Sequence, residues 1–102
     1  MGKMFYVYIL LCFDGSLYTG YTTDIDHRVL QHNLKKGAKY TRGRTPVTLV
    51  YCETLASKSD ALKREITVKK LSREKKLGLV KSWLTDPIYQ QLFGNSVTYT
   101  LS

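Results

Sequence analysis

Three groups of residues have the types and spacing that chemistry requires. Ile25, Arg28, Val29 and His32 stand at i, i+3, i+4 and i+7, the spacing of one buried helix stripe. Two of the four can carry charge: a guanidinium that binds anions through two parallel hydrogen bonds, and an imidazole that exchanges protons near neutral pH. The plainer account is that Arg28 and His32 only border the apolar face and reach past it to water. Leu62, Glu65, Ile66 and Lys69 repeat the spacing further on, with Ala61 one turn before Glu65. Glu65 is thus an acid within an apolar stripe, amid Lys63, Arg64, Lys69 and Lys70. It is either a ligand for a hard cation or one half of an i,i+4 pair with Lys69, which would contribute about 0.2–0.5 kcal/mol. The third group is phenolic: of eight tyrosines, Tyr6, Tyr8, Tyr18 and Tyr21 crowd into the first 21 residues. Strand tyrosines usually pack, but phenols also relay protons and stack on bases.

The elements that position these groups follow from the pattern. Met4 to Cys12 and Leu17 to Thr22 are β-like runs around Phe13-Asp14-Gly15-Ser16, a hairpin signal. A two-residue Asp14-Gly15 loop would set Tyr8 against Tyr21 and turn Tyr18 to the other face. A three-residue loop, Phe13 to Gly15 with Gly15 left-handed, sets Tyr8 against Gly20 and Tyr18 against Leu10. The second register is preferred, because Phe5, Val7, Ile9, Leu11, Leu17 and Tyr21 then share a core-like side. The remaining face carries Tyr6, Tyr8, Leu10, Ser16, Tyr18, Gly20 and Thr22. Asp24 to about Leu34 reads as a helix with Ile25, Val29, Leu30 and Leu34 as its apolar positions. A Gly- and Lys-rich connection fills 35 to 46, and Val47 to Thr54 is a third strand. Ser57 opens a helix from about Asp60 to Lys70, and Ser72 caps another through about Leu84, with Leu77, Val80 and Leu84 apolar. The domain is expected to span residues 1 to 85. The tail, 86 to 102, is ambiguous: Ile88 to Phe93 reads as a short helix, and Ser96 to Leu101 as a strand or a disordered end.

Charge narrows the class of partner. The chain of 102 residues carries 16 Lys and Arg against 8 Asp and Glu, a net +8 with 43% hydrophobic residues. Lys35, Lys36, Lys39, Arg42 and Arg44 come without an acid, and residues 58 to 81 hold nine bases against Asp60, Glu65 and Glu74, so the rest of the chain is net acidic. Such a balance excludes an acidic disordered tail and favours a globule with a polyanionic partner. Cys12 and Cys52 show no metal-ligand or disulfide spacing, which favours a reducing compartment. The apolar run Met4 to Phe13 is shorter than the roughly 20 residues that span a bilayer, and no signal cleavage site follows it. A cytoplasmic protein without a membrane partner is expected.

With those residues in hand, the sequence resembles the GIY-YIG nuclease superfamily. Tyr6-Val7-Tyr8, nine intervening residues and Tyr18-Thr19-Gly20 match its paired motifs, followed at the expected distances by the Arg28 and His32 helix and by Glu65. The segments GAKYTRGRTPV (37 to 47), SKSDALKRE (57 to 65) and VKKLSREKK (68 to 76) resemble the short, single-domain bacterial branch, whose members are mostly uncharacterised. The resemblance runs from about Met4 to Leu84, and it is the ordered set of motifs that is specific.

This resemblance implies an α+β fold, a three-stranded antiparallel sheet flanked by helices in the order β-β-α-β-α-α. It also implies phosphodiester hydrolysis with one divalent metal, Mg²⁺ or Mn²⁺, held by Glu65. Tyr8, Tyr18, Arg28 and His32 then become the catalytic set, and Gly20 the motif glycine, leaving room for a substrate backbone. Tyr8, assisted by His32 or the metal, would help deprotonate the attacking water, Tyr18 would orient it, and Arg28 would offset charge on the phosphorane. Lys35, Lys36, Lys39, Arg42, Arg44, Lys63, Lys69 and Lys70 would grip nucleic acid, DNA in preference to RNA, with the chain taken as a monomer. Tyr6 and Val7 replace the motif Gly and Ile, and no residue maps securely to a further family Asn, Asn95 lying in the tail. Without an appended recognition domain, weak sequence specificity is expected in a repair or processing role. Two readings compete: a nucleic-acid-binding module that keeps the fold without turnover, and a protein that binds an acidic partner.

Overall fold

A glycine turn sets the geometry of the N-terminal half. Gly15 takes φ +84°, and Cys12 N–H donates to the Ser16 carbonyl at 2.9 Å. In the computed structural model, which describes residues 4–86, β1 (Phe5–Leu11) and β2 (Leu17–Thr22) pair antiparallel with Tyr8 against Gly20 and Leu10 against Tyr18. This is the register of the three-residue loop. β3 (Thr48–Leu55) pairs antiparallel with the other edge of β1, giving the sheet order β2-β1-β3. Ile9 faces Tyr51 while Leu10 faces Leu49, so Val50 is the extra residue of a bulge. Strict alternation would send Val50 and Tyr51 to opposite faces, yet the bulge brings both into one core cluster.

Each face of the sheet carries a cluster. On one, Val7, Ile9, Val50 and Tyr51 meet Ala61 and Val68 of α3 (Lys58–Lys69) and Val80 of α4 (Arg73–Leu84). Both helices start as their sequences predict, the Ser57 hydroxyl accepting from Asp60 N–H at 3.1 Å and the Ser72 hydroxyl from Lys75 N–H at 3.3 Å. On the other, Tyr8, Leu10, Cys12 and Val47 are covered by Ile25 and Val29 of α1 (Ile25–Asn33). The Tyr8 face is therefore a second core layer: Tyr8 is 1% exposed and Leu10 fully buried.

Several expectations are corrected. Leu30 and Leu34 are each 55% exposed, because α1 turns Ile25, Val29 and His32 inward and leaves them on its outer flank. Leu62 and Ile66 are also exposed. The buried stripe of α3 is Ala61 and Val68, and Glu65 falls between them, four residues after Ala61 and three before Val68, so its apolar neighbours are not the leucine and isoleucine that the spacing singled out. A short helix, α2 (Lys39–Arg42), interrupts the connection that reads as a plain loop. The expected tail elements, Ile88 to Phe93 and Ser96 to Leu101, and Asn95 with them, lie outside the described residues. Among those described, no helix is long and apolar enough to cross a membrane.

Candidate nuclease site

The site is assembled by the hairpin, α1 and the connection that follows it. Tyr8 and Tyr18 project from the same face of β1 and β2, their ring centres 6.4 Å apart. Where the sequence predicts open space over Gly20, the Tyr8 phenol lies instead: a Cβ on Gly20 would overlap the Tyr8 hydroxyl and ring. Gly20 thus makes room for the motif tyrosine, not for a substrate backbone.

α1 begins at Asp24, whose carboxylate accepts from His27 N–H at 3.1 Å, and brings His32 beneath the tyrosines, fully buried. Tyr8 Oη and His32 Nε2 are 2.9 Å apart, and the His32 and Tyr18 rings lie 5.3 Å apart. The helix then stops in a Schellman turn, with Lys36 N–H donating to the Gln31 carbonyl at 2.9 Å and Lys35 N–H to that of His32 at 3.0 Å. Lys35 takes φ +63°, a left-handed conformation in which glycine is usual. The turn folds the connection back over His32. Gly37 packs on the imidazole so closely that a Cβ would meet its Nδ1 and Cγ, and Thr41 of α2 places its hydroxyl 2.8 Å from Nδ1. Asn33 closes the segment by two hydrogen bonds to Val47, Nδ2–H donating to the carbonyl at 3.1 Å and Oδ1 accepting from the N–H at 2.7 Å. Gly37, Thr41 and Asn33 carry no periodic signal, and sequence reasoning passed over all three.

A second ladder leads from the site to the surface. Tyr40 stacks on Tyr18 with ring centres 5.9 Å apart, and the Arg44 guanidinium sits 4.0 Å from the centre of the Tyr40 ring. Arg44 also donates to Asp14 Oδ2 at 2.9 Å and to the Tyr40 carbonyl at 2.7 Å, tying the connection to the hairpin turn.

The Arg28 guanidinium and the Glu65 carboxylate both act on Tyr8. Burial pushes the Tyr8 phenol up to about 12, Arg28 opposing the rise while Tyr18 and Glu65 add to it. Burial, and secondarily the positive Arg28, holds His32 down at about 4. At neutral pH the pair is therefore a neutral phenol and a neutral imidazole. The side chain of Glu65 is 19% exposed and also contacts Lys69, Oε2 to Nζ 3.4 Å, so the i,i+4 pair exists alongside its approach to the site. No group of three or more His, Cys, Asp or Glu that could hold a metal occurs among the described residues. The single Glu65 carboxylate fits one oxygen-preferring divalent ion that would take its other ligands from water and substrate. The cysteines are free, and burial raises both thiols, Cys52 to about 11, so neither is poised as a nucleophile.

Of the predicted gripping residues, Lys35, Lys36, Lys39, Arg42, Lys63, Lys69 and Lys70 are exposed. Two of the predicted set are engaged within the protein, Arg44 with Asp14 and Lys69 with Glu65.

Residues 4–77 match the model of the GIY-YIG catalytic domain. A UPF0213 protein of Halobacterium salinarum is 57% identical over 76 residues, 74% of this chain and 99% of that protein. One of Staphylococcus saprophyticus is 57% identical over 75 residues, 74% of this chain and 92% of the other. Relatives thus come from archaea as well as bacteria, a wider range than the bacterial branch the sequence resembles. The solution NMR structure of the UPF0213 protein from Bacillus halodurans is 50% identical with a TM-score of 0.54, covering 93% of this chain and 99% of that one. That of a protein from E. faecalis is 36% identical with a TM-score of 0.52, covering 98% and 96%. With the sheet order, the Tyr8 and Gly20 register and the domain match all in agreement, the chain belongs to the GIY-YIG catalytic-domain family.

Proposed function

We propose that this protein is a divalent-metal-dependent phosphodiesterase that cleaves DNA, single-stranded or branched DNA in particular, in nucleic-acid repair or processing. The observation that carries the reading is the 2.9 Å contact of Tyr8 with His32, made where the Tyr18 ring lies 6.4 Å from that of Tyr8 and where Arg28 and Glu65 act on the same phenol. A core needs no buried phenol–imidazole pair flanked by a cation and an anion, whereas water activation beside a phosphate needs all four.

Glu65 would hold Mg²⁺ or Mn²⁺, which supplies polarisation of the phosphate and stabilisation of the leaving oxygen. Tyr8 accepts a proton from the attacking water while its own passes to His32 Nε2. Burial makes a standing phenolate costly, so the two transfers occur together; the proton comes to rest on His32 as an imidazolium, which burial and the positive Arg28 make short-lived, so that it passes on to the leaving oxygen or to solvent. Tyr18, at the solvent side of the pair, orients the water. Arg28 offsets the charge growing on the phosphorane as a bidentate donor. Lys35, Lys36, Lys39 and Arg42 from the connection and Lys63 and Lys70 from α3 would hold the strand on either side. The fold and catalytic-domain match favour turnover over a pure binding module, since that module has no use for Glu65 beside Tyr8.

The test is a panel of labelled single-stranded, duplex and branched DNA and RNA, with Mg²⁺ or chelator, for the native, Glu65→Ala and Tyr8→Phe proteins. Cleavage of DNA that chelator and each substitution abolish is expected. Equal cleavage by all three proteins would overturn the assignment, and salt-sensitive binding without cleavage would point to the module.

A further inference from the structure

We propose that Thr41 is a positioning residue that holds His32 in the Nδ1–H tautomer, leaving Nε2 bare to take a proton from Tyr8. The Thr41 hydroxyl lies 2.9 Å from the Ala38 carbonyl and 2.8 Å from His32 Nδ1. A carbonyl only accepts, so the single hydroxyl proton is committed to Ala38, and toward the ring the same oxygen has only lone pairs to offer. His32 must therefore donate from Nδ1. A neutral imidazole carries one N–H, so Nε2 is an acceptor and the Tyr8 hydroxyl, 2.9 Å away, is the donor. His32 held down at about 4 agrees with a neutral ring.

The ring cannot easily evade this arrangement. Gly37 closes on it at Nδ1, Cγ and Cε1, the Tyr18 ring lies 5.3 Å away, and the Thr41 side chain is itself fully buried. The consequence is directional. With its proton pointed at Nε2, Tyr8 turns lone pairs toward the side where water would sit, and accepts from that water without first being ionised. When a proton leaves Tyr8 Oη for Nε2, one from the water replaces it as that water's oxygen attacks, and the ring, its Nδ1–H bonded to Thr41 throughout, carries the positive charge until it gives up the Nε2 proton. The opposite tautomer would make Tyr8 the acceptor from Nε2–H and turn the phenolic proton outward, where it would repel an incoming proton donor.

The catalytic meaning of this rests on the nuclease reading above, but the tautomer does not, and the two are measured separately. Long-range proton–nitrogen NMR of the His32 ring distinguishes the protonated from the bare nitrogen. The native protein is expected to show a protonated Nδ1 and bare Nε2, Thr41→Ser to keep that pattern, and Thr41→Val, which keeps the shape and loses the hydroxyl, to shift toward Nε2–H. In the cleavage assay Thr41→Val should lose roughly 10- to 100-fold in kcat with KM nearly unchanged, and Thr41→Ser should recover most of it. A native ring protonated at Nε2, or a Thr41→Val ring unchanged from the native one, overturns the proposal. The expected NMR pattern in a protein that cleaves nothing leaves the tautomer assignment standing and overturns the nuclease reading. Should Thr41→Val fail to fold, Thr41→Ser and the native spectrum still decide the assignment.

Discussion

Acid unfolding tests the burial of His32 directly. The ring has an ordinary pKa of 6.5 and is held at about 4, first because it is cut off from water and second because Arg28 is positive nearby. As the pH falls through 6.5 the unfolded chain takes a proton that the folded chain declines until about 4. Between those limits the unfolded state holds the extra proton, so stability falls by roughly 1.4 kcal/mol per pH step and the loss levels off near about 3 kcal/mol. Above 6.5 both states carry neutral imidazole and the effect vanishes. A loss of this size is a large part of the roughly 5–15 kcal/mol that holds a small domain together. Urea unfolding of the native and His32→Gln proteins at about pH 7.5 and about pH 4 separates this term from carboxylates that protonate over the same range. The native protein should lose about 3 kcal/mol more than the variant between the two conditions. Equal losses would refute the reasoning, since the ring would then titrate as freely folded as unfolded.

Three further substitutions each test a single contact or conformation. Gly20→Ala should cost about 1–3 kcal/mol by thermal unfolding, because its methyl meets the Tyr8 ring in a packed layer that has nowhere to send it. Lys35→Gly should stabilise the fold by about 1 kcal/mol in urea titration by relieving the left-handed lysine. The same change, if Lys35 contacts a phosphate, should flatten the dependence of log DNA affinity on log salt by about 0.9. Ser72→Ala should lower the unfolding midpoint through loss of about 1 kcal/mol of capping at the start of α4.

Local rules were readable in the sequence and long-range ones were not. Gly15 and the alternation from Phe5 to Leu11 suffice for the hairpin register, which alone places Tyr8 and Tyr18 together. Ser57 and Ser72 mark their helices because capping is settled within four residues. Exposure was misjudged where it depends on which way a helix is docked: Leu30, Leu34, Leu62 and Ile66 satisfy a helical period yet sit on outer flanks. The bulge at Val50 and the covering of both sheet faces arise from pairing and packing between distant segments, so no window of sequence contains them. Of the candidate site, Tyr8, Tyr18, Arg28, His32 and Glu65 are legible as residues out of keeping with their surroundings. Gly37 and Thr41 look ordinary in a basic loop and acquire meaning only when the turn after α1 lays them on His32.

The two bonds between Asn33 and Val47 give the intervening segment the character of an interchangeable part. The Asn33 side chain joins its ends and Arg44 pins it to the hairpin turn, so lengthening it between these ties would cost only about 0.6 kcal/mol per doubling in loop-closure entropy. Provided that Gly37 and Thr41 keep their places, Lys36, Lys39 and Arg42 can be exchanged without disturbing the imidazole. On the proposed function, proton handling and backbone grip would fall to different residues interleaved in one short segment, and a protein built on this plan could change what it holds while keeping how it reacts.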